Sequence, residues 1–99
     1  MDTQLEDDIT EQLDLRDPPR YQVILYNDDQ TPMDFVNELL MTIFNHTQDS
    51  AEAVTLSVHT EGKGIAGIFY YEVAEQKVHE SILVSRSAGY PLSLDIEEL

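Results

Sequence analysis

Residues 20–40, RYQVILYNDDQTPMDFVNELL, contain a change of hydrophobic period, and that change sets the class of fold. Up to Tyr26 the side chains alternate, with Tyr21, Val23 and Leu25 on one side and Gln22, Ile24 and Tyr26 on the other, as in a β-strand. From Met33 onward, Met33, Val36, Leu40, Ile43 and Phe44 recur at helical spacing and predict a helix of about 14 residues ending near Asn45-His46-Thr47. At the junction Thr31 stands where an N-cap belongs, Pro32 takes the first helical position, and Asp34 complements the helix dipole. The turn holds three consecutive acceptors, Asn27, Asp28 and Asp29, although one side-chain oxygen is enough to cap the orphan N–H groups of a helix.

Working outward, residues 49–62 predict a second helix, with Asp49 as cap, Glu52 three residues on, and Gly62 for the left-handed C-terminal position. GIAGIFYY, 64–71, reads as a second strand in which Gly64 and Gly67 indicate a bulge or a close backbone approach. Residues 72–89 place Ala74, Val78, Ser81 and Ile82 on one helical stripe, opening with Glu72 and Glu75 and closing with Arg86 and Gly89. Pro91 stops that helix, and LSLDI, 92–96, alternates as a closing strand. The order β-α-α-β-α-β predicts an α+β fold: a small three-stranded sheet, antiparallel or mixed, packed against three helices.

Ninety-nine residues with 41% apolar content make one domain and leave no room for a second. Twenty acidic residues against five basic ones give a net charge of −15, which repels phosphate backbones and anionic lipid, so neither nucleic acid nor membrane is an expected partner. Without cysteine there is no disulfide framework and no thiolate metal site. No secretory leader pattern is visible, and no apolar run approaches the roughly 18 residues of a membrane span. The expectation is a soluble monomer of the cytoplasm, or of an organelle stroma if this is a mature imported form. Residues 1–19 carry seven acids against Arg16 alone and too few apolar groups to offset ordering entropy. They are expected to form a disordered acidic extension, with Pro18-Pro19 as an extended connector to a core domain over 20–99.

Asp28 or Asp29 with His59 would suit general acid–base work. No nucleophile motif or glycine-rich phosphate loop accompanies them, however, and the chain is read as a non-enzyme. Asn27, Asp28, Asp29 and His59 match neither a calcium loop nor a zinc site, so no metal or other cofactor is expected. Turn chemistry alone accounts for Asn and Asp in a loop, and a histidine near a helix C-terminus is easily accommodated; His46 and His79 fit that plain structural account better still. What turn chemistry leaves unexplained is the neighbourhood. Met33 and Val36 project from the first turns of the helix beside a cluster of acceptors, an arrangement suited to a ligand with a cationic head and an apolar body.

VILYNDDQTPMDFV (23–36), VHTEGKGIAGIF (58–69), EVAEQKV (72–78) and YPL (90–92) together resemble the ClpS adaptor family, over about residues 20 to 94. The family recognises N-degrons, destabilising N-terminal residues, and hands their bearers to a Hsp100 unfoldase of the Clp protease. The resemblance implies that Asn27, Asp28 and His59 hold the α-ammonium of a substrate protein, whose three donors need acceptors around them. It implies that Asp29 meets the substrate backbone, and that Thr31, Met33, Val36, Val58 and Leu92 line a pocket for Leu, Phe, Tyr or Trp. Glu72 and Lys77 would face the N-terminal domain of a ClpA- or ClpC-type unfoldase.

One position departs from the pattern: Thr55 stands where many family members have a second methionine. Threonine is shorter and stiffer than methionine and carries a hydroxyl, so a preference for aromatic first residues is expected. The rival reading is an acidic interaction module that binds a basic protein surface without N-degron recognition. Salt separates the two, because a diffuse acidic face is screened where a small apolar pocket is not.

Overall fold

The middle strand of the sheet is β1 (Arg20–Tyr26), paired antiparallel to β2 (Lys63–Tyr70) on one side and β3 (Ser93–Glu98) on the other. The computed structural model describes residues 18–99. Of the expected extension only Pro18 and Pro19 fall among them, outside any helix or strand; residues 1–17 lie outside the described part. Helices α1 (Met33–Thr42) and α2 (Gln48–Glu61) connect β1 to β2, and α3 (Tyr71–Ser87) connects β2 to β3. The order is β-α-α-β-α-β, as the hydrophobic periods predict, and the sheet is wholly antiparallel.

Val23 and Leu25 of β1 are fully buried and face a core completed by Val36, Leu39, Leu40 and Phe44, by Ala51 and Val58, and by Ala66, Ala74 and Leu92. Ile24, on the opposite side of the strand, is also buried, at the base of a hollow that Val54 of α2 and Ile65 of β2 line with it. Both glycine expectations hold. Val23 pairs with Gly67 and Ile24 with Ile65, so Ala66 is the extra residue of a bulge. A Cβ on Gly64 would come within 2.9 Å of Val58 Cγ2 and 3.0 Å of the Val54 carbonyl, so the missing side chain lets β2 lie close against α2. Helix α3 packs through small residues: Ala74, Ser81 and Ser85 are fully buried, with Val78 and Ile82 only half so. Ser81 and Ser85 donate to the carbonyls of Lys77 and Ser81, each at 2.7 Å, which satisfies their hydroxyls inside the helix.

The caps differ from expectation. Pro32, not Thr31, is the N-cap of α1, and it makes no side-chain cap bond. The helix is shorter than its apolar stripe, ten residues, and Asn45 in the left-handed region (φ 58°) follows its end. Met33, expected among the apolar stripe, is 42% exposed. In α2 the cap is Thr47, whose hydroxyl accepts from the Ser50 amide at 3.2 Å, so Asp49 falls inside the first turn. Gly62 takes the predicted left-handed position with φ 92°, and its N–H donates to the Val58 carbonyl.

Candidate functional site

The turn after β1 is tied to the end of α2 by the Asn27 amide, which donates to the Gly62 carbonyl at 2.9 Å. Because Gly62 closes α2, this bond brings the turn alongside His59 in the last helical turn. A cavity of about 430 Å³ opens there, bordered by Asn27, Asp28, Asp29, Thr31, Met33 and His59. That volume lies in the range of small-ligand sites. Thirty-two positions separate Asn27 from His59 in sequence, and the fold closes the gap by pairing β1 with β2 up to Tyr26 and Lys63, with the Asn27–Gly62 bond just beyond.

Asp28 answers why three acceptors stand together. Its Oδ1 accepts from the backbone N–H groups of Gln30 at 2.8 Å and Thr31 at 2.7 Å, and its Oδ2 accepts from the Thr31 hydroxyl at 2.7 Å. Thr31 is therefore drawn back to Asp28, and the helix starts without it as cap. One of the three residues thus builds the turn. Among the described residues, the side chains of Asn27, Asp29 and His59 have no hydrogen-bond partner, and Asn27, Asp29 and His59 are exposed.

The turn also sets the charge of Asp28. Partial burial alone would raise its pKa, but hydrogen bonds from the Thr31 hydroxyl and the Gln30 and Thr31 amides, with the Arg86 cation, hold it below the ordinary carboxylate value. A carboxylate has roughly four lone-pair positions, and the three bonds from the turn leave one on Oδ2 for an outside donor. The cavity is therefore lined by the Asn27 side-chain amide, the Asp28 and Asp29 carboxylates and the His59 imidazole. Such a surface takes a cation rich in N–H donors.

The remaining residues singled out from sequence are placed differently. Val36, Thr55, Val58 and Leu92 are 1–4% exposed and belong to the packed interior, not to the wall of the open cavity. Val36 lies three residues beyond Met33 on α1, and Val58 immediately precedes His59 on α2. Glu72 is exposed in the first turn of α3. Lys77 is half-buried: its Nζ donates to the Ile43 carbonyl at 2.7 Å and lies 5.9 and 5.5 Å from the ring centres of Phe44 and Phe69. His46 is held within the fold. Its Nε2 donates to the Ala66 carbonyl, which can only accept, and its Nδ1 is hydrogen-bonded with the Ser50 hydroxyl at 2.6 Å.

In sequence Arg86 is no more than a cation in the last turn of a helix. In the structure it donates to the carbonyls of Tyr90 at 3.0 Å and Leu92 at 2.9 Å, fixing the segment that carries Leu92, and its charge acts on Asp28. A single basic residue before Gly89 carries no signal of that reach. The hollow lined by Ile24, Val54 and Ile65, about 390 Å³, shares no residue with the acceptor cavity. Among the described residues no three His, Asp or Glu side chains are grouped to hold a metal ion, and no helix is long and apolar enough to cross a membrane.

The family described as "ATP-dependent Clp protease adaptor protein ClpS" matches residues 16–95. The chain is 45% identical over 85 residues to the ATP-dependent Clp protease adapter protein ClpS of Helicobacter hepaticus, covering 86% of each chain. It is 46% identical over 93 residues to that of Wolinella succinogenes, covering 94% of this chain and 91% of the relative. Among solved structures, that of Agrobacterium tumefaciens ClpS2 bound to L-phenylalaninamide superposes with a TM-score of 0.80 at 31% identity. That match covers 84% of this chain and all of the other.

Proposed function

The chain belongs to the ClpS family, adaptors of the Clp protease and not enzymes, and we propose that its acceptor cavity holds the N-terminus of a substrate protein beginning with Phe, Tyr, Trp or Leu. The observation that carries this reading is the arrangement at Asp28. Its carboxylate is kept ionised by bonds from its own turn, with one acceptor position left over, beside Asn27, Asp29 and His59, which the fold leaves without partners. The L-phenylalaninamide bound by the Agrobacterium tumefaciens relative has a free α-amine and a benzyl side chain, the two features this site would read.

In this assignment Asn27, Asp28 and His59 take the ammonium, and Asp29 meets the backbone just beyond the first residue. Thr31 and Met33 form the mouth through which the first side chain enters. Val36, Thr55, Val58 and Leu92 form the apolar interior it reaches, with Thr55 favouring a ring over Leu. The adaptor then acts as a monomer that presents its cargo to the N-terminal domain of a ClpA- or ClpC-type unfoldase in the cytoplasm or an organelle stroma. Glu72 and Lys77 of α3 are the contacts proposed for that partner, although Lys77 is engaged with Ile43 within its own fold. Cytoplasmic placement is supported by the bacterial origin of the relatives.

Calorimetry with peptides that differ only at the first amine tests the assignment. A peptide with a free N-terminal Phe should bind, and its acetylated form should bind at least about tenfold more weakly, because a charge-assisted hydrogen bond is worth about 1.5–3 kcal/mol. Equal affinities would remove the ammonium site.

A further inference from the structure

Three threonines lie within helices of the described structure, and they use their hydroxyls in two ways. Thr42 and Thr60 each donate at 2.8 Å to the carbonyl four residues back, the local option open to any helical threonine. Thr55 does not. Its hydroxyl crosses from α2 to α1 and donates to Asn37 Oδ1 at 2.5 Å, and Thr55 is only 2% exposed.

The position of that bond gives it a consequence. Asn37 lies four residues after Met33, and Thr55 four residues before His59, so on each helix the bonded residue sits one turn inward on the face that carries the cavity residue. A hydrogen bond defines a separation more sharply than apolar contact does, since it weakens steeply as it lengthens or bends. We propose that Asn37 is a positioning residue: by taking the Thr55 hydroxyl it sets the distance between α1 and α2 below the cavity, and with it how large a first side chain the site accepts. This rests on the ammonium-site reading and adds to it a residue outside the cavity wall.

When the bond is lost, Thr55 has its own helix carbonyl to turn to, so the domain keeps its fold while the two helices are no longer held together at that level. The wider gap then under-fills with Leu more than with Phe. Asn37→Leu and Thr55→Val should each raise the Phe-to-Leu affinity ratio, measured by calorimetry with peptides otherwise identical, by up to about tenfold, the worth of a methylene in an apolar pocket. The double variant Asn37→Leu/Thr55→Val lacks the same bond, leaves no buried polar group unpaired, and should shift the ratio about as far as either single variant, with no added effect. Thermal unfolding of each protein accompanies the binding data. A ratio unmoved in both single variants, with or without a change in melting temperature, would make the bond purely structural and overturn the proposal. A double variant whose shift is the sum of the two single shifts would overturn it as well, because the two side chains would then act independently. Absence of binding by the wild-type protein to any free-amine peptide would instead remove the ammonium site, and this inference with it.

Discussion

Asp28→Asn separates the two tasks of Asp28. The amide oxygen of asparagine can keep both backbone bonds that Oδ1 now accepts, at 2.8 and 2.7 Å, and the new NH₂ can donate to the Thr31 hydroxyl, reversing the bond of 2.7 Å. The turn should therefore persist, with a melting temperature close to wild type. The ligand site changes more, because the charge is gone and the group at Oδ2 now offers donors to an ammonium that is itself all donors. Hydrogen bonds to charged groups are worth about 1.5–3 kcal/mol. Solvent screening at a half-exposed carboxylate argues for the lower end, which corresponds to about a tenfold weaker Kd. Asp28→Ala is the useful contrast, since it also removes all three turn bonds and should cost about 1 kcal/mol of stability, as loss of a capping side chain does. Calorimetry with a Phe-initiated peptide, alongside thermal unfolding, reads both quantities. If Asp28→Asn binds that peptide within twofold of wild type while keeping its fold, Asp28 is a turn-builder only and the ammonium lies elsewhere.

Acid stability should carry the same residue's signature. The folded protein holds the Asp28 carboxyl below its ordinary value of about 3.9, so its stabilisation is complete above that value and is lost as pH falls through the lower, folded one. Urea midpoints for wild type and Asp28→Asn should be close near neutrality and separate below about pH 4, where wild type loses this stabilisation and the variant, which has no carboxyl to titrate, does not; parallel curves down to the lowest pH would contradict the shift. Gly64→Ala should destabilise the domain by about 1–3 kcal/mol, the usual cost of overpacking, because its Cβ meets Val58 Cγ2 at 2.9 Å and the backbone carbonyl of Val54 at 3.0 Å; a neutral result in urea titration would mean that α2 and β2 part freely. Deleting residues 1–16 should leave peptide affinity unchanged and stop degradation of an N-degron reporter in a reconstituted unfoldase–peptidase assay, and undiminished degradation would show that the extension has no part in delivery.

The α+β class and the element order were readable because each element announces its own period: Tyr21, Val23 and Leu25 alternate, and Val36, Leu40 and Phe44 do not. Gly62 and the two strand glycines were readable for the same reason, since a left-handed cap and a close approach are demands made on a single residue. Caps were read less well. Thr31 looks like an N-cap from its neighbours in sequence, but its amide and its hydroxyl both donate to Asp28, and the helix starts one residue later, at the cap position of Pro32. The resemblance to the ClpS motifs pointed to Asn27, Asp28 and His59 together, yet periodicity alone had no means of joining the turn to the end of α2. Two further contributions belong to tertiary structure outright. Arg86 reaches Asp28 through its field and Leu92 through a carbonyl, and Asn37 takes the Thr55 hydroxyl across 18 positions. A local pattern records what a residue does for its own helix or strand. Which hydroxyl meets which amide across two helices is settled only when the core closes and sets the distance between them.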